Sequence, residues 1–359
     1  MSCKIQFLKK QIIYIIIILS ITVLNSLVIK KATASNYDVE NIIISENFNK
    51  NFQKEDVFDK AFRLAFDQLI LTLLTSNDKK KIQNTDIFTI KRLIDSFNIE
   101  NERFINNNYS ANFSVSFNKK DSLSFFEAKN IFPSIPKKID LLLIPILIEK
   151  NITDIKYFSD NEIYKNWNIK NEHHYLINYI LPSDEIEDRE IINNNYKNIE
   201  SFDFKDIINK YNLNNYIILL VNENSNIIQV LSKIFLNENY EIINVSYENL
   251  NLKNKKNLHF IISDLKKKFE DTWKNLNIIN SSIKLPITIS IDSKNNNKIE
   301  EFEIFTNNFD LVYSTKILMF NNNYISYKLI FNGSPNIFFE EAKKNGFIFK
   351  KKNQNWIMK

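Results

Sequence analysis

The N-terminal apolar run decides which part of this chain folds in water and on which side of a membrane. Lys4, Lys9 and Lys10 precede Ile12 to Leu19, and the apolar character continues, lightly interrupted, to Ile29; Lys30, Lys31 and the small-x-small triplet Ala32-Thr33-Ala34 follow. A basic start, an apolar core and a small-residue triplet together make an export signal, with cleavage between Ala34 and Ser35. The other reading is a retained anchor, because about eighteen mostly apolar residues just span a hydrocarbon core when the helix stands upright. Ser20, Thr22, Asn25 and Ser26 weaken that reading, and in both cases the leading lysines orient the rest of the chain outside the cytoplasm. The expected location is periplasmic, with inner-membrane attachment only if the anchor is retained.

Export also removes what makes the composition look basic. Residues 1–34 carry five lysines and no acid, so the 47 basic residues of the whole chain become 42, against 42 acidic ones, and the formal charge of +5 becomes zero. The pI near 8.8 therefore reports the leader rather than a nucleic-acid surface, and nucleic acid is not an expected partner. Lys266-Lys267-Lys268 and Lys350-Lys351-Lys352 are local basic runs of the kind that decorate solvated helix faces and strand ends. Cys3 leaves with the leader, so the exported part has neither disulfides nor thiol ligands and folds by core burial.

Periodicity divides the remainder into three units. In residues 36–132, Val39, Ile42 and Ile44 suit a strand. Phe58, Ala61, Phe62, Ala65, Phe66, Leu69 and Leu73 form the stripe of a helix from about Glu55 to Thr75. A shorter helix is expected near Asp86 to Ser96. Tyr109 to Phe117 alternates strictly and is predicted to pair with Phe97 to Phe104 across Asn106-Asn107-Asn108. Pro133 and Pro136 mark an extended link.

The second unit, 137–280, opens with the apolar run Leu141 to Ile148, in which Pro145 predicts an edge position or a bulge. Helices through Trp167 and Phe204 to Tyr211, strands at Tyr175 to Leu181, Tyr216 to Val221, Ile227 to Phe235 and Tyr240 to Tyr247, and a long helix with Leu258, Ile261, Ile262, Leu265, Phe269, Trp273 and Leu276 make it a mixed-sheet α/β sandwich. The third unit, 283–359, reads β-α-β-β-α-β, the order of ferredoxin-like domains. Ser334-Pro335 starts its second helix; Gly346, and by the same reasoning Gly333, answers a need for left-handed backbone. The predicted class is α+β to α/β.

These pieces resemble the domain-of-unknown-function 2066 family of exported bacterial proteins. The resemblance rests on Asp59-Lys60-Ala61-Phe62-Arg63-Leu64-Ala65-Phe66, the Tyr109 to Phe117 strand, Trp167, Leu181-Pro182-Ser183-Asp184-Glu185-Ile186-Glu187-Asp188, and the helix and strand from Ile207 to Val221. The small residues common in that family's first helix are partly Phe here. The resemblance implies an envelope location and no particular activity.

Motifs for chemistry are sparse. With only Gly333 and Gly346, the nucleophile elbow and phosphate loops lack their fixed glycines. Adjacent His173-His174 point to opposite faces if extended, and His259 has no carboxylate at i+4, so neither metal nor cofactor is expected. Asp184, Glu185, Glu187, Asp188 and Glu190 form a dense acidic segment: either a hydrolase centre, through bound metal or an acid/base pair, or a solvated loop in which Asp184 or Asp188 caps the next helix. Trp167, set among polar neighbours, is either a core anchor or an exposed binding residue. The expectation is a non-catalytic binding or assembly module acting on an envelope protein or cell-wall component, with Trp167, Asp184, Glu187 and Asp188 as candidate binding residues. The alternative is a hydrolase centred on 184–190.

Overall fold

Apolar residues spaced by three and four build α1 (Lys54–Leu73) in the computed structural model, which describes residues 36–149, 154–169, 175–224, 227–280, 283–352 and 355–359. The expected leader with its expected Ala34/Ser35 cleavage point, and the His173-His174 pair, lie outside those residues. Val57, Ala61, Phe62, Ala65, Phe66, Leu69, Ile70 and Leu73 of α1 are buried against a three-stranded antiparallel sheet. Its order is β1 (Asp38–Asn47), β3 (Asn108–Phe117), β2 (Ile94–Ile105). The alternating residues Tyr109, Ala111, Phe113, Val115 and Phe117 of β3 all face that core. Between α1 and β2 the structure has two short helices, α2 (Ser76–Ile82) and α3 (Ile87–Leu93), rather than one reaching Ser96. Thr75 and Asp86 cap them, each accepting from a backbone N–H three residues on. Helix α4 (Lys119–Ala128) closes the unit.

Asparagine carries the backbone turns that glycine usually takes. Of the ten non-glycine residues with positive φ among those described, eight are Asn, so short polar side chains fill most left-handed positions. The β2–β3 hairpin is an instance: Asn106 and Asn107 have φ of 52° and 56°, as a two-residue turn with both residues left-handed requires. Gly346 has φ +85°, as expected. Gly333 is needed for a different reason, because a Cβ there would sit 2.8 Å from the Phe331 ring.

The second sheet has β4 (Ile139–Glu149) inside it, with β7 (Tyr216–Asn224), β8 (Ile227–Leu236) and β9 (Asn239–Glu248) following on one side. On the other side β6 (Ile177–Ile180) pairs in parallel with the first part of β4, and β5 (Asp154–Tyr157) pairs antiparallel with its end. Pro145 is therefore neither at an edge nor recorded as a bulge: opposite Leu219, it lies level with the gap between β6 and β5. There the buried Asn161 amide donates to the Pro145 carbonyl at 3.1 Å. Its Oδ1 accepts from Ile163 N, starting α5 (Glu162–Trp167), so the missing proline N–H leaves nothing unpaired. Helices α5 and α8 (Lys255–Leu276) cover one face of this sheet, and α6 (Ile186–Asn194) and α7 (Lys205–Asn209) the other, forming the expected sandwich.

The third sheet has the order β11 (Val312–Phe320), β12 (Tyr324–Phe331), β10 (Leu285–Asp292), β14 (Asn355–Met358), β13 (Phe349–Lys352), with α9 (Asn296–Asn308) and α10 (Pro335–Lys344) contributing Phe302 and Phe338 to its core. The β-α-β-β-α-β order holds, with one alteration. A crossover through α10 returns the chain antiparallel to β10; the β13–β14 pairing reverses it, and β14 lies beside β10 in parallel. Ser334 occupies the cap position without a side-chain bond, and Pro335 pre-forms the first turn. The class is α+β, with three sheets in one compact unit from Asn36 to Lys359. No helix among the described residues is long and apolar enough to cross a membrane.

The sheets are joined by specific bonds. The Pro133–Pro136 link is a strap: Ile135 N donates to Asn277 O, Ile279 N to Pro133 O, and Ser134 N and Oγ both donate to Leu73 O. Between the first and third units, Lys119 Nζ donates to Phe309 O at 2.8 Å and Asn36 Nδ2 donates to Asp310 at 2.8 Å.

Candidate functional site

The candidate binding residues from the sequence do not converge. Trp167 is fully buried on the α8 face of the second sheet, edge-on to Tyr179 at 5.4 Å and stacked with Phe269 at 6.2 Å between centroids. Its indole is core, not a surface anchor: α5 is a single turn lying against α8, and Trp167 is the side chain that fills the space between them. The acidic segment is on the opposite face of the same sheet.

Within that segment three of the five carboxylates, those of Asp184, Glu185 and Asp188, are held by cations. Asp184 accepts from Arg189 Nε and Nη2 at 2.5 Å and from Ser159 Oγ, and these bonds hold it down at about 2. Asp188 is inaccessible to solvent and accepts from Lys210 Nζ at 2.6 Å, while Glu185 takes the same ammonium at 2.9 Å. Neither Asp184 nor Asp188 caps α6; its cap position is Glu185, without a side-chain bond. Glu187 is exposed on α6. A carboxylate fixed as an anion by a forked guanidinium cannot serve as a general acid near neutral pH. Among the described residues no three His, Cys, Asp or Glu side chains come together as a metal site.

A different site forms where the end of α1 and the start of α2 meet α8. A cleft of about 270 Å³ lies there, with Lys79, Lys80, Lys267, Glu270, Asp271 and Lys274 on its walls. Glu270 and Lys274 are one turn apart on α8, beside the stripe residues Phe269 and Trp273, and are 3% and 5% exposed. Glu270 accepts from the backbone N–H of Leu176 at 3.0 Å and of Ile177 at 2.9 Å, clamping the start of β6 to α8. Burial pushes its pKa up against those bonds and the Lys274 charge. Asp271 accepts from Ser76 N and Oγ.

Lys274 Nζ donates to Leu71 O, in the last turn of α1, and to Leu74 O, just past its end, while burial pushes its pKa down. α1 has no basic residue in its own last turn, so the cation that its dipole favours comes from two hundred positions away in the chain. Lys79, Lys80 and Lys267 make no ion pair among the described residues. The cleft thus presents cations whose counter-charges, Glu270 and Asp271, are occupied by protein donors.

Next along α8 is a smaller hollow of about 120 Å³, which shares Tyr175 and Ser263 with the cleft and is lined also by His259 and Lys266. Lys266 is buried, its ammonium 5.7–5.8 Å from the ring centres of Trp167, Tyr175 and Tyr179. The basic run Lys266-Lys267-Lys268 therefore divides three ways: Lys266 among rings, Lys267 on the cleft, and Lys268 at 3.4 Å from Asp264. The sequence offered one signal for the cleft, the polar pair Glu270 and Lys274 flanking an apolar stripe. The other half, from α1 and α2, had none.

Two lysines with lowered pKa values, the partly buried Lys119 and the buried Lys274, set a pH dependence. Lys119 is pushed down to about 8 by burial, against the raising effect of Asp310, and Lys274 is lowered from 10.5 for the same main reason. The folded pKa lies below the unfolded one, so above pH 8 the unfolded chain binds more protons and stability rises with pH. Above pH 10 the buried tyrosines Tyr37, Tyr179, Tyr247 and Tyr327, all raised mainly by burial, reverse the trend. Urea midpoints are expected to increase from pH 8 to pH 10 and then fall, with a flatter rise in Lys119→Met.

Compared with known proteins, the chain matches no family model and no curated relative.

Proposed function

We propose that this is an exported bacterial envelope protein of the domain-of-unknown-function 2066 type that works as a non-catalytic binding module, holding an acidic group of an envelope protein in the cleft where α1 and α2 meet α8. The observation that carries the reading is the cleft at α1, α2 and α8: Lys79, Lys80 and Lys267 surround it without ion pairs among the described residues, while Glu270 and Asp271 are taken up by backbone amides and Ser76. A site whose carboxylates are committed to holding the fold offers charge for recognition and no base for chemistry. The export signal supports the location, and the balanced charge of the exported part supports recognition by a local site over general attraction to polyanions.

Titration calorimetry with a Glu-rich peptide tests it. Wild type is expected to bind with an affinity that falls as salt rises, and Lys79→Glu/Lys80→Glu/Lys267→Glu to lose at least about tenfold, roughly 1.4 kcal/mol. None of the three ammonium groups makes a hydrogen bond or ion pair among the described residues, so the variant is expected to fold. Binding equal in wild type and variant, or absent from both, would remove the cleft from the function.

A further inference from the structure

Strand β11 is an edge strand whose two halves differ. Its first half is covered by the N-terminal unit: Tyr313 OH lies 2.7 Å from Ser124 Oγ, and Lys284, paired with Glu127 of that unit, sits over the Tyr313 ring. Its second half projects beyond the fold, leaving Ile317, Leu318, Met319 and Phe320 exposed at 59%, 56%, 52% and 71%. The pairing register assigns faces. Ile317 lies opposite Tyr327 and Phe320 opposite Ile325, on the side that carries the third core; Met319 lies opposite Ser326, on the other side. The apolar end is thus exposed on both faces, which sets it apart from a sheet face awaiting one partner.

Two further features narrow the occupant. Lys316 is directly opposite Lys328, both exposed, an arrangement of like charges that destabilises a strand pair and is relieved by an anionic surface. The Asn321–Asn323 turn meets its own backbone needs: Asn321 Oδ1 accepts from Asn323 N at 2.9 Å and Tyr324 N at 2.8 Å, and Asn321 N donates to Tyr324 O. These bonds lower the cost of bringing the tip backbone to a lipid interface, while the exposed asparagine side chains oppose deeper burial. Addition of another strand is disfavoured, because register shifts at Val312/Ser314 and Ile317/Met319 break the regular row of donors and acceptors, and Lys316 blunts the edge.

We propose that the β11–β12 hairpin end is a membrane-contact element. It inserts Ile317, Leu318, Met319 and Phe320 shallowly into an anionic lipid surface, with Lys316 and Lys328 at the headgroups. The asparagine turn keeps insertion within the interfacial layer, and the two lysines supply the preference for anionic lipid.

The test uses the compact unit beginning at Asn36, so that the apolar leader contributes no binding. It is sedimented with phosphatidylcholine vesicles and with vesicles that also contain phosphatidylglycerol. Wild type is expected to bind the mixed vesicles in preference, Leu318→Ser/Phe320→Ser to lose binding by about tenfold or more, and Lys316→Gln/Lys328→Gln to lose the preference for phosphatidylglycerol. Phe320→Trp is expected to give fluorescence that shifts to the blue when mixed vesicles are added. All these side chains are exposed, and unchanged circular dichroism confirms folding. Binding that ignores the hairpin substitutions, or no binding at all, overturns the proposal. So does a concentration-dependent dimer that Leu318→Ser dissociates, since the hairpin's partner would then be a second copy of the chain.

Discussion

Replacing Trp167 by alanine is expected to lower the unfolding free energy by about 3–5 kcal/mol, the cost of deleting a large buried aromatic side chain. Trp167 is fully buried and is the main connection between the single turn of α5 and the 22-residue helix α8, through Phe269 and the Tyr179 ring. The cavity would not be refilled easily, because β4 lies behind it with Leu141 and Leu143 fully buried. Trp167→Phe separates packing from polarity. The indole N–H has no hydrogen-bond partner among the described residues, so the phenyl ring is expected to recover more than half of the loss. Urea unfolding measures both. A surface anchor would behave in the opposite way, with stability unchanged, so a loss below about 1 kcal/mol would remove Trp167 from the core.

Lys274→Met is expected to cost about 3 kcal/mol, although the substitution keeps the length of the side chain and adds no polar group. Three consequences combine. The Leu71 and Leu74 carbonyls lose their donor, the end of α1 loses the cation near its negative pole, and Glu270 loses the positive charge that opposes its burial. The last of these has its own signature. Glu270 is already raised by burial, and a folded pKa above the unfolded one means that stability declines as pH rises through that window. Removing Lys274 widens the window, so Lys274→Met is expected to be more destabilised at pH 7 than at pH 5. Thermal unfolding at the two pH values checks the sign, and Lys274→Met/Glu270→Gln is expected to recover part of the loss.

The long elements were legible because their signals are local. The stripe of α1, the alternation of β3 and the asparagine hairpin each need only neighbours within a few residues; the first two took the predicted form, and the turn, expected over Asn106-Asn107-Asn108, uses only Asn106 and Asn107, with Asn108, in β3, paired to Ile105. Short helices were less legible: α2 has one buried residue, Ile82, and no stripe, so its existence depends on the Thr75 cap and on Asp271 reaching Ser76 from α8. Leu276, counted on the stripe of α8, is 41% exposed, because the helix ends there and the Pro133–Pro136 strap takes over.

Pro145 shows a sequence rule giving way to context. Proline is excluded from strand interiors by its missing donor, yet β4 tolerates it where β6 has stopped and β5 has not begun, with Asn161 bonding the carbonyl. The acidic segment shows the same. Asp184 and Asp188 are valid helix-cap residues by type, but Arg189 and Lys210 provide stronger, charge-assisted partners.

The sequence by itself determined the α+β class, the long helices and strands, the asparagine turn of the β2–β3 hairpin in a chain with almost no glycine, and the absence of cysteine beyond Cys3. Those follow from side-chain periodicity, backbone conformational preference and residue count, which act over a few positions. Only the tertiary structure decided that Trp167 and the acidic segment lie on opposite faces of one sheet, that β14 rather than β13 lies beside β10, and that lysines from α2 and α8 share a cleft. Those depend on which distant segments compete best for a buried donor, acceptor or apolar face, as Lys274 does for the end of α1, and no local pattern encodes the outcome.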